Sequence, residues 1–158
     1  MAVYSVRGFS AATAATSGHA IYGFWHPAGA HRVRILEMGC GRGAITNQRG
    51  PVVLRSSARG TPGSTVTPDA DNAWNNQVVP PSGALLDLAA YTVQPTLASP
   101  PLQGHVVSIV TGSIGVMNVF IFPDGLTVPP GSGVVLQHLA AAVWGASECY
   151  VVWEEGSD

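Results

Sequence analysis

HRVRILEM, His31–Met38, alternates with period two: Val33 and Ile35 fall on one side, Arg32 and Arg34 on the other. That is the pattern of a β-strand with one buried and one wet face. HAIYGFW, His19–Trp25, precedes it across the turn HPAGA, His26–Ala30, so the pair reads as a hairpin. PVVLRSS, Pro51–Ser57, and ECYVVWEE, Glu148–Glu155, read as further strands. HVVSIV, His105–Val110, and VMNVFIF, Val116–Phe122, flank a TGSIG loop and read as a second hairpin. GVVLQHLAAAVWG, Gly133–Gly145, has the length of a helix, but its valines and flanking glycines fit a strand better. ALLDLAAYTV, Ala84–Val93, fits either a strand or a short helix, and PDGLTVPPGSG, Pro123–Gly133, reads as two turns around a very short strand.

Composition agrees. The chain has 158 residues, enough for one domain with a real core. Gly and Pro number 19 and 12, a density at which long helices do not form. Seven to nine short strands between Pro/Gly-rich turns predict an all-β, antiparallel β-sandwich, jelly-roll-like because long segments cross between sheets. The predicted organisation is an extended N-terminal arm over residues 1–17, small and polar with Val3, Tyr4, Val6 and Phe9 as anchors, followed by a sandwich domain over 18–158. Trp144 and Trp153 are expected in the core, Trp74 less so.

Charge is sparse and uneven. All seven positive side chains are Arg, and all lie in residues 1–60 beside one acid, Glu37; residues 61–158 hold the other eight acids. Either the fold interleaves the two parts and pairs them internally, or a basic face of one subunit meets an acidic face of another. A net charge of −2 without lysine or a basic run argues against nucleic acid as a partner. No apolar run reaches the length of a membrane helix, so no membrane partner is expected. The first twenty residues do not have the form of a signal peptide, which predicts folding in a cytoplasm. Cys40 and Cys149 are then expected as packed, reduced thiols.

No reaction centre stands out, and no catalytic residue, metal ligand or cofactor is assigned. Glu154 and Glu155 are adjacent, so a strand sends them to opposite faces. His26 and His31 straddle a turn without a matching Cys or acid pair. Asp69, Asp71 and Asn72 begin like a calcium loop, but Trp74 and Pro80 stand where a glycine and a bidentate acid belong. GCGRG, Gly39–Gly43, has no helix after it and reads as a turn rather than a phosphate cradle.

RVRILEMG (Arg32–Gly39), VVLRSSARGTPGSTVTP (Val52–Pro68), QPT (Gln94–Thr96), GLTVPPGSGVVL (Gly125–Leu136) and the closing VVWEE (Val151–Glu155) follow one another in an order that resembles small jelly-roll virion proteins of tailed bacteriophages, among them capsid decoration or cement proteins. The resemblance spans roughly residues 18–155 and implies a non-enzymatic structural role. It also implies self-association, often as a trimer, on the outside of a shell built from the major capsid protein and assembled in the host cytoplasm. On that expectation Val3, Tyr4, Arg7, Phe9, Arg32 and Arg34 are the partner-contact residues, the two arginines offering bidentate donors to carboxylates. The alternative is a tail-fibre, head-fibre or adhesin module that binds a host glycan or protein, with Trp25, Trp74 or Trp144 stacking on sugar. A cupin-like or hydrolytic enzyme is the third reading.

Overall fold

The computed structural model describes residues 2–12, 18–29, 31–42, 51–69, 72–74, 82–104, 117–139 and 144–156. Within them the regular structure is all strand, in order β1 (Ala2–Ser10), β2 (Ala20–His26), β3 (Arg32–Arg42), β4 (Pro51–Ala58), β5 (Ser64–Val66), β6 (Leu85–Leu88), β7 (Thr96–Leu97), β8 (Gln103–Gly104), β9 (Met117–Val128), β10 (Ser132–His138) and β11 (Ser147–Gly156). They form two antiparallel sheets. One has the order β1-β11-β3-β9; the other has the order β5-β6-β2-β10-β4-β7, with β8 beside β4. The sheets face each other as a sandwich. Trp153 of β11 stacks on Tyr4 of β1, with ring centroids 5.4 Å apart, and meets Phe24 of the opposite sheet at 5.3 Å. Around these rings Val33, Ile35, Met38, Leu86, Phe120, Val134 and Leu136 close the core. Trp144 and Trp153 are both buried, as expected.

The strand-period reading of His31–Met38 holds: Val33 and Ile35 are fully buried, while Arg32 is exposed. Four local expectations change. β2 and β3 do not form a hairpin, because β2 pairs with β6 and β10 while β3 pairs with β9 and β11. The turn between them carries the chain from one sheet to the other. Gly39–Arg42 is not a turn but the end of β3, held in register between β11 and β9. Pro123–Gly125 does not end a strand either. β9 runs through it on a bulge, the pairing jumping from Glu37↔Ile121 to Ile35↔Leu126, which is where a strand tolerates proline and a left-handed glycine. Gly125 has φ 69°.

The fourth change is the arm. Residues 2–10 are an integral strand: Ala2 through Ser10 pair in unbroken register with Glu155 through Ser147. Tyr4 and Val6 point into the core, and burying a tyrosine ring against Trp153 is worth more than leaving it for a neighbour. Residues 13–17 of the predicted arm, and His105–Val110 of the predicted second hairpin, lie outside the described residues.

Charges pair across the sequence. Arg7 meets Glu148 at 3.3 Å, Arg34 meets Glu154 at 2.6 Å and Arg59 meets Asp87 at 2.6 Å. Each joins an arginine from residues 1–60 to an acid from 61–158, so the fold interleaves the two parts.

Candidate functional site

Alternation along the four-stranded sheet sends one set of side chains inward and leaves the other on its outer surface. Inward go Tyr4 and Val6 of β1 and Cys149, Val151 and Trp153 of β11. Outward go Ser5, Arg7 and Phe9 of β1 and Glu148, Tyr150 and Val152 of β11. Together with Glu37 and Gly41 of β3 and Met117 of β9 they line a groove of about 1190 Å³. One wall comes from the segment 72–74, which is tied beside β1: the Trp74 N–H donates to the Val3 carbonyl at 2.9 Å, and Ala73 bridges to Tyr4. From there the Trp74 indole reaches over the sheet and its Nε1–H donates to Ser5 Oγ at 2.9 Å. The ring is therefore anchored, yet 67% of the residue is exposed. Phe9, at 69%, faces water on the same surface, and Met117 and Ile121 on β9 are also exposed.

The groove floor has a tyrosine laid over a glycine. Tyr150 stands opposite Gly39 on β3, and a Cβ at position 39 would collide with its ring. A glycine costs a strand packing and backbone order, and an aromatic neighbour lying across it restores the packing. The Tyr150 hydroxyl donates to Glu37 Oε1. Burial first, then this bond and the Glu37 charge, hold the phenol proton well above its ordinary range. Glu37 is thereby fixed in place with acceptor capacity to spare. On the rim, Arg7 and Glu148 form an exposed ion pair.

The expected contact residues divide. Arg7 and Phe9 lie on this surface, Val3 is half-buried at the β1 edge, and Arg32 is exposed on the same sheet. Tyr4 is withdrawn into the core. Arg34 is bound within the chain: its guanidinium lies against Glu154, directly opposite on β11, and both side chains are mostly covered. An arginine whose charge is already neutralised by a neighbouring carboxylate has little to offer a second one. Glu154 and Glu155 do face opposite ways. Glu155 is buried, accepting from Ser82 and, at 3.0 Å, from the Trp153 indole. Of the stretch that begins like a calcium loop, the Asp69 N–H donates to Asn72 Oδ1 at 2.8 Å, and Asp71 lies outside the described residues. Glu37, Tyr150 and Gly39 were not foreseen. Their signal was the register between two distant strands, which no local window contains.

No family model matches the chain, and no curated protein or solved structure matches it either.

Proposed function

We propose that this protein is a non-enzymatic virion structural protein that self-associates, as a trimer, and decorates the outside of a phage capsid. The observation that carries the reading is the strand order. Successive long strands alternate between sheets, with β1-β11-β3-β9 facing β2-β10-β4-β7. That alternation supports a jelly-roll reading, an architecture that viral shell, lectin and cupin domains share. The use of buried acids favours the first two. Glu155 fastens the segment at Ser82, and Asp87 is clamped by Nη2 and Nε of Arg59 at 2.6 and 2.7 Å and by Thr65 at 2.8 Å. Such carboxylates hold segments together. Exposed Phe9, Met117 and Ile121 supply apolar contact area toward a neighbour, and Arg7 and Arg32 supply register. Quantitative mass spectrometry of purified particles tests this. A copy number near that of the major shell subunit, or one trimer per local threefold, is expected; absence from particles overturns the reading.

A second reading, a fibre or adhesin module that binds a host glycan or protein, is favoured by the anchored and exposed Trp74. A handful of copies per particle would select it.

A further inference from the structure

We propose that the groove on the outer face of the four-stranded sheet is a carbohydrate-binding site. The inference rests on the second reading above and names its ligand class.

Shape comes first. The surface is a half-open groove, and its volume of about 1190 Å³ lies just above the usual span of small-molecule sites, room for a ligand of more than one ring. Chemistry comes second. A sugar ring presents an apolar C–H face and a rim of hydroxyls that both donate and accept. The groove offers the complement. Trp74 and Phe9 present exposed aromatic surface, while Glu37, Glu148 and Arg7 supply acceptors and donors between and around them. One arginine against two carboxylates gives no excess of positive charge, which disfavours phosphate-bearing ligands.

Preorganisation comes third. The bond to Ser5 Oγ satisfies the indole N–H of Trp74 and sets the ring's tilt, leaving ring surface for stacking. Tyr150 sets Glu37 in the same way. A ligand would not have to order these groups when it binds, and that is where affinity for weak polar ligands is usually lost. Stacking on the anchored indole supplies orientation, and Glu37, already bonded on one oxygen, accepts from a ring hydroxyl.

The test is a glycan array of bacterial surface oligosaccharides probed with the full chain, with Trp74→Ala and Glu37→Gln alongside, together with pull-down on a panel of bacterial cells before and after periodate oxidation of their surface sugars. Expected are array signals reduced at least tenfold in Trp74→Ala and severalfold in Glu37→Gln, and cell binding lost after periodate. Circular dichroism of both variants should match the parent, since the Trp74 ring lies outside the core. Absence of any array signal, or signals unchanged by Trp74→Ala, overturns the sugar proposal. Cell binding that survives periodate but needs Trp74 also overturns it, and leaves an adhesin with a protein receptor. No cell binding and no array signal sinks the adhesin reading as well.

Discussion

Each sheet lays a tyrosine over a glycine on its outer surface, with opposite results. On the seven-stranded sheet a Cβ at Gly23 would press on the Tyr91 hydroxyl and on Val135, and Tyr91 is buried. The segment after β6 folds back there, so that Ala20, Ala89, Tyr91 and Val135 with Leu97 make a second, smaller core. On the four-stranded sheet Tyr150 covers Gly39, but among the described residues no second core forms, and the ring becomes the floor of a groove. The same local device seals one surface and shapes a site on the other. What differs, among the described residues, is whether a later stretch of chain returns to cover it.

The comparison can be broken most drastically with alkali. Tyr4, Tyr22, Tyr91 and Tyr150 all have phenols raised above the ordinary value of 10.0, burial being the first cause in each. The unfolded chain releases these protons near that value while the folded one keeps them, so stability is full below pH 10 and falls as pH rises above it. Tyrosinate absorbance should therefore appear together with loss of the β-sheet circular dichroism, in one step. A phenol that ionises earlier, in the folded protein, would mark its sheet as the wetter one.

Next in size is Arg59→Ala. It would leave the Asp87 carboxylate buried on the covered surface without its bidentate partner. A loss of about 3–5 kcal/mol in urea unfolding is expected. A loss below about 1 kcal/mol would mean that water reaches Asp87 and that the covered surface is not dry.

Gly39→Ala should cost less, about 1–3 kcal/mol, because the Tyr150 ring can swing out toward water. Its signature is local: the Tyr150–Glu37 bond is lost and the groove floor opens, while the seven-stranded sheet is untouched. Arg7→Ala, at an exposed ion pair, should change stability by less than about 1 kcal/mol. If Arg7 and Arg59 proved equal, the contrast between the two outer surfaces would fail.

The same contrast explains what could be read from sequence. Strands of the four-stranded sheet have one wet face and alternate openly, as Arg32–Val33–Arg34–Ile35 does. β2 and β10 are covered on both sides, with only Trp25, Ser132 and Gln137 partly exposed. Such strands become continuous apolar runs without a readable period, which is why Gly133–Gly145 has the look of a helix. The fold class was legible because turn residues and alternation are local. β1 was misread as an arm because its only apolar anchors are Val3, Tyr4, Val6 and Phe9, and what makes it a strand is β11, far along the chain. The groove was half legible. Trp74 stood out by its polar setting, and Arg7 and Phe9 were singled out for another reason, but Glu37 and Tyr150 meet only through register. The cysteines follow the same rule. Cys40 and Cys149 stand directly opposite each other on β3 and β11 as buried cysteines, and burial raises the Cys149 thiol.

The pairing of β1 with β11 also sets a clock. Arg7 and Glu148, neighbours in the sheet, are 141 positions apart. At ordinary ribosomal speeds that distance takes on the order of ten seconds to synthesise. Throughout that interval β1 lacks the strand it pairs with along its length and has only the segment 72–74 to lie beside it, and Trp153 has not yet arrived to receive Tyr4. The four-stranded sheet, and every residue lining its outer surface, can only be assembled after the last strand has emerged. A nascent chain therefore cannot display this surface, and a chain cut short before β11 never will.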